Sequence, residues 1–170
     1  YESMEGLMEL YLMQHGACFS QEIDPNQPLS PVGAEQIEKS AKACARMGVC
    51  FETIIASDKL RAEQTARLMA KGTGYPEKAI LTTDLVRPMS LPAAALDYLK
   101  KFEARRGVLL CSHLPFLQNL ASALIADGGV ARIKFENGGL ACVDAPKIAP
   151  GAAALRYYLT PMHLKIISGL

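Results

Sequence analysis

The chain is predicted to adopt an α/β fold in three layers, a mostly parallel central sheet with helices on both faces. Short apolar runs of strand length, such as 10–13 and 107–112, alternate with longer stretches whose apolar residues recur every three or four positions. That alternation is what parallel strands joined by helical crossovers require. The strand-like runs also stop abruptly in polar residues, at Gln14-His15-Gly16, at Ser57 to Arg61 and at Ser112-His113. In parallel sheets, ligands bind beyond the carboxyl ends of the strands.

The elements follow in order. The run ending at Met13 reads as a buried strand, and Gln14-His15-Gly16 as its end. After a loop at 24–28, Ser30-Pro31 is a helix start with Ser as N-cap, and Ala34, Ile37, Ala41, Cys44 and Met47 form one apolar stripe that Gly48 terminates. FETIIAS (51–57) is rich in β-branched residues and reads as a second strand, and Asp58 is the expected cap of the next helix. There Ala62, Ala66 and Met69 turn inward, the Glu63/Arg67 pair faces water, and residues 71–76 close the helix. AILTT (79–83) is a strand candidate followed by a loop with Asp84, Arg87 and Pro88. A helix through roughly 92–104 leads to the apolar strand GVLLCS (107–112), and Pro115 opens another helix that Asp127-Gly128-Gly129 stops. The tail reads as β-rich, with IKF (133–135), GLACV (139–143) and ALRYYL (154–159) before a short terminal segment.

With 170 residues the chain suits one domain, assigned to 8–170. Residues 1–7, which begin with Tyr1 instead of Met, are expected to be leader or expression-derived. The 18 Lys and Arg nearly balance the 17 Asp and Glu, so no nucleic-acid partner is expected. No apolar run reaches the roughly 18–20 residues of a membrane span, and Glu2, Glu5 and Glu9 occupy the place of a basic leader segment. No membrane partner and a cytoplasmic location are therefore expected. The five cysteines are odd in number and lack CxxC spacing, which suggests neither a disulfide framework nor a zinc site. A cysteine-dependent phosphatase needs an Arg six positions after its Cys, but Asp24, Cys50, Ala56, Leu117 and Ile148 stand there. The three histidines have no metal-ligand spacing, and neither a metal nor another cofactor is expected.

Two histidines and an arginine at one rim suit phosphoryl transfer. An imidazole can attack phosphorus and hold it as phosphohistidine, and cationic or N–H groups can neutralise the equatorial oxygens. The stretches LYLMQHGA (10–17), LSPVGAEQ (29–36), ASDKLRAEQTARLM (56–69) and CSHLPFLQNLASAL (111–124), in this order, resemble the histidine phosphatase superfamily, also called phosphoglycerate mutase-like. Ser112-His113-Leu114-Pro115 and the ending Thr160 to Lys165 resemble its SixA-type phosphohistidine phosphatase branch. The resemblance implies His15 as nucleophile, Arg61 as a phosphate ligand and His113 as the partner that contacts the phosphoryl group, with the N–H of Leu114 as a further donor. His163 is read as structural. By the same resemblance the substrate is phosphohistidine on a signalling protein, with a small phosphate ester as the alternative.

Gln14 departs from the pattern, because the family has a phosphate-binding arginine at that position. Glutamine has no charge and cannot make a guanidinium's two-pronged contact. A deficit of about 1–2 kcal/mol corresponds to roughly 5- to 30-fold in rate. Lys59 and Arg87 are the cations that could compensate, and Asp84 is the candidate general acid. Without compensation the chain is expected to be a weakened phosphatase, or a phosphoryl-binding protein without turnover.

Overall fold

The computed structural model describes residues 7–170, so residues 1–6 of the expected leader lie outside the described residues. The chain runs β1 (Met8–Gln14), α1 (Pro31–Arg46), β2 (Thr53–Ser57), α2 (Leu60–Thr73), β3 (Leu81–Thr83), α3 (Pro92–Leu99), β4 (Gly107–Ser112), α4 (Phe116–Ile125), β5 (Leu140–Ala145), β6 (Ala154–Leu159) and α5 (Pro161–Ser168). Single 3-10 turns lie at Glu77–Ala79, Asp84–Val86 and Lys100–Phe102. The strands form one sheet in the order β3-β2-β4-β1-β5-β6. The first four of these are mutually parallel, whereas β5 and β6 are antiparallel to their neighbours.

Strand side chains alternate between two apolar layers, as a period of two demands. Leu10, Leu12, Ile55, Val108, Leu110 and Val143 pack with Leu96, Leu99, Phe116 and Leu120 of α3 and α4. Tyr11, Met13, Ile54, Leu109 and Cys142 pack with Ile37, Ala41, Ala66, Met69 and Leu164 of α1, α2 and α5. Both faces of β1, β2 and β4 are covered, which is why these strands read as continuous apolar runs.

Register places the site. Gln14 of β1 pairs with Ser112 of β4, and Ala56 of β2 pairs with Cys111. The three central strands therefore end at one level, and the residues that follow each of them share one rim.

Several elements differ from expectation. Residues 133–135 are not a strand: Ile133 and Phe135 are buried in the core as coil, joined by a turn bond from Phe135 N–H to the Ile133 carbonyl (3.1 Å). Their β-forming composition reflects burial without a neighbouring strand to pair with. Asp58 does not cap α2; Lys59 holds the N-cap position without a side-chain bond, and the Asp58 carboxylate instead receives Arg87. The helix from 92 stops at Leu99 and continues as a 3-10 turn, and the third strand is only Leu81–Thr83. Other local signals hold. The Ser30 hydroxyl accepts the Gly33 N–H at 3.0 Å with Pro31 at the first helical position. His163 completes a capping box with Thr160 at the start of α5, a structural role.

Gly33 sits where the first turn of α1 meets the loop after β1. A Cβ there would overlap the backbone of Ala17, whose carbonyl accepts the Ser30 N–H (3.0 Å). Overpacking of this kind costs about 1–3 kcal/mol, and each kcal/mol moves Tm by roughly 2–4 °C in a chain this size. Gly33→Ala is therefore expected to lower Tm by several degrees in a thermal unfolding scan; an unchanged Tm would show that the loop yields freely.

Candidate active site

The sharp end of β1 puts His15 at the rim with its backbone held on both sides. Its N–H donates to the Ser112 carbonyl (3.0 Å), and its carbonyl accepts from Asn137 Nδ2 (2.8 Å). The Gly138 N–H donates to the Gln14 carbonyl (2.9 Å), so residues 137–138 strap the strand end. The ring is fixed as well. His15 Nδ1 lies 2.7 Å from the Gly16 carbonyl, which can only accept, so Nδ1 carries the proton and Nε2 presents its lone pair. The Arg61 Nε–H donates to that Nε2 at 3.3 Å.

The stretch Leu60 to Ala66 explains itself residue by residue. Arg61, second in α2, reaches the site, while Ala62 and Ala66 are fully buried against the sheet. Gln64 Oε1 accepts the Leu29 N–H (2.7 Å), and Thr65 Oγ1 accepts the Gly16 N–H (3.0 Å) while donating to the Arg61 carbonyl (2.8 Å). One helical turn thus supplies a cation and clamps the loop that carries His15. Asn137 and the clamping role of Thr65 were not singled out from the sequence. The Asn137-Gly138 dipeptide is a turn signal that could have directed attention there.

His113 follows β4 as His15 follows β1. Their ring centroids are 5.1 Å apart at 59°. His113 is almost wholly buried, and neither of its ring nitrogens has a hydrogen-bond partner. Gln14 Oε1 is likewise buried without a partner. Such atoms cost about 1–3 kcal/mol each when left unsatisfied, and they mark a place where a polar ligand would be favoured.

Electrostatics keep both imidazoles neutral. Burial, with a smaller contribution from the Arg61 charge, pulls His15 down to about 4 against the opposing bond to Gly16. Burial, then His15, Arg61 and Lys59, pull His113 down to about 3. The site therefore combines an unprotonated nucleophilic nitrogen, a second imidazole and a fixed guanidinium, a set suited to an electrophile that carries negative charge.

The remaining expected residues are placed around this group. Leu114 is half-buried, and its side chain packs against the core. Lys59 is exposed at the start of α2. Arg87 holds Asp58 by two bonds, Nε to Oδ1 at 2.8 Å and Nη2 to Oδ2 at 2.6 Å, and this pairing holds the Asp58 carboxyl below its ordinary range. Arg87 is thus engaged with Asp58 on the rim. Asp84 is exposed on the 84–86 turn and makes no hydrogen bond to His15, Arg61 or His113; its carbonyl accepts the Ser90 hydroxyl (3.0 Å). Among the described residues no group of three or more His, Cys, Asp or Glu could hold a metal ion, and no helix is long and apolar enough to cross a membrane.

Comparison with known proteins places the chain by sequence and by fold. The family model described as histidine phosphatase superfamily (branch 1) matches residues 10–86, which contain Gln14, His15 and Arg61. An uncharacterized protein of Picosynechococcus sp. (strain ATCC 27264 / PCC 7002 / PR-6) is 30% identical over 122 residues, covering 69% of this chain and 73% of that protein. Phosphohistidine phosphatase SixA of Escherichia coli (strain K12) is 26% identical over 166 residues, 96% of this chain and 100% of that one. The structure of the protein histidine phosphatase SixA complexed with tungstate superimposes with a TM-score of 0.83 at 24% identity, covering 93% of this chain and 100% of the other. With the fold, the matching stretches and these relatives together, the chain belongs to the histidine phosphatase superfamily.

Proposed function

We propose that this chain is a phosphatase that passes a phosphoryl group through His15, with phosphohistidine on a protein as its substrate. The observation that carries the reading is the His15 ring: its Nδ1 proton is held by Gly16, and its Nε2 lone pair faces Arg61. The Nε2 pair forms the N–P bond as the bond from phosphorus to the leaving group breaks. An incoming phosphoryl oxygen takes over the Arg61 N–H that now lies against Nε2, and His113 donates an N–H to another oxygen. Water then attacks phosphorus, the electron pair of the N–P bond returns to Nε2, and inorganic phosphate leaves.

Three further points support the substrate. Sequence similarity to a phosphohistidine phosphatase extends over 96% of the chain. A departing imidazole can be protonated near neutral pH, so a site without a carboxylic acid bonded into it is still competent for that leaving group. The five free cysteines suit a reducing cytoplasm, where phosphorylated signalling proteins would be met. A small phosphate ester is the other substrate class that the same chemistry admits. Gln14 favours a second reading, a phosphoryl-binding protein without turnover, because among the described residues Arg61 is the arginine that hydrogen-bonds His15.

Hydrolysis of an aryl phosphate and of a phosphohistidine-bearing protein decides between them. The unmodified chain is expected to turn over and to trap an acid-labile phosphoryl group, and His15→Ala to fall to background. Arg61→Ala is expected to lose about 10²–10³-fold, the usual cost of one transition-state donor. Turnover by Gln14→Arg but not by the unmodified chain would establish the binding reading instead.

The nucleophile must be unprotonated, and its depressed pKa means that protonation sets in only as pH falls through about 4, not near 6.5. An NMR titration of the ligand-free protein should find the His15 ring neutral from neutral pH down to about 4. Titration near the ordinary value would refute the buried, neutral nucleophile.

A further inference from the structure

The chemistry just described leaves Gln14 Oε1 without a task. This oxygen is buried with no partner, on the last residue of β1, next to His15 and opposite Ser112, the residue before His113. A carboxamide oxygen only accepts hydrogen bonds. A fully deprotonated phosphoryl group offers it no donor. A phosphoryl monoanion offers one, its P–O–H.

Charge points the same way. The charged groups acting on His15 and His113, which follow β1 and β4, are Arg61 and Lys59 at the start of α2 and Asp58, paired with Arg87, between β2 and the 84–86 turn. Glu136, exposed, lies on the loop whose Gly138 bonds the Gln14 carbonyl. Lys59 and Asp58 act on His113 in opposite senses, both imidazoles are neutral, and Arg61 is the guanidinium bonded to the nucleophile. One fixed charge matches a monoanion, whereas an arginine at position 14 would provide a second charge suited to a dianion.

We propose that Gln14 selects the protonation state of the substrate, accepting a hydrogen bond from the P–O–H so that the site takes phosphoryl monoanions in preference to dianions. The proposal rests on the phosphoryl-site reading and refines it. The second ionisation of a phosphate monoester falls near pH 6, so the preferred species dominates in mildly acidic solution and becomes scarce above it. At higher pH the group must take up a proton to bind. Arginine carries no acceptor and could not play this part.

Calorimetric titration of inorganic phosphate into the full chain, in pairs of buffers with different ionisation heats, tests it. At about pH 8, where phosphate is mainly dianionic, the unmodified chain is expected to take up about one proton per phosphate bound. Its affinity is expected to fall about tenfold per pH unit above the second pKa of phosphate. Gln14→Met should bind without that uptake or pH preference, and Gln14→Arg should bind the dianion with no uptake. Phosphate binding that depends on Arg61 but takes up no proton overturns the Gln14 role and leaves the site standing; this is also the result if Gln14 turns its NH2 inward. Uptake that persists in Gln14→Met puts the proton on a histidine and overturns it equally. Binding indifferent to Arg61→Ala, or no binding at either pH, overturns the phosphoryl-site reading beneath it.

Discussion

The site depends on one constraint, the register of parallel pairing between β1 and β4. Gln14 opposite Ser112 means that the residues following the two strands emerge side by side, and both are histidines. A shift by one residue would move each strand's side chains to the opposite face, sending Leu10 and Leu12 out of one core layer and Tyr11 and Met13 out of the other. Because both faces of these strands are buried, the apolar packing locks the register, and the register locks the distance between the imidazoles. The core and the candidate catalytic group are in this sense a single structure.

Burial then shapes the chemistry. An imidazole at the end of a central strand, covered by helices, is deprived of the water that would stabilise its cation, so it stays neutral and nucleophilic. The same low-dielectric surroundings strengthen the charge of Arg61 beside His15. What the site forgoes by carrying Gln14 in place of a second guanidinium is charge; what it keeps is a buried acceptor. The Asp58–Arg87 pair on the exposed rim is a weaker element, since ion pairs in water contribute little.

The loop carrying His15 is held mainly through side chains of distant elements: Thr65 on the Gly16 N–H, Gln64 on the Leu29 N–H, Asn137 on the His15 carbonyl. Each satisfies a backbone group that a tight turn out of a buried strand would otherwise leave unpaired. This is the physical content of the dense Leu60 to Ala66 stretch. Arg61 reaches into the site and Gln64 and Thr65 clamp the loop, while the alanines let α2 approach the sheet closely.

By itself the sequence determined what is local or periodic. The apolar runs with polar ends, the Ser30-Pro31 helix start, and the inward Ala62, Ala66 and Met69 all follow from chain-neighbour geometry, and so they were legible. So were His15, Arg61 and His113 as a group, because an alternating strand and helix pattern brings strand ends to one rim. Only the tertiary structure decided what depends on partners far along the chain. Residues 133–135 have strand composition but no strand beside them, Asp58 could cap a helix but meets Arg87 across 29 positions, and Asn137 acquires its role only where its loop crosses His15. Propensity describes a residue's preference for a backbone shape; it carries no information on which distant hydrogen-bond partner or burial site the fold will offer.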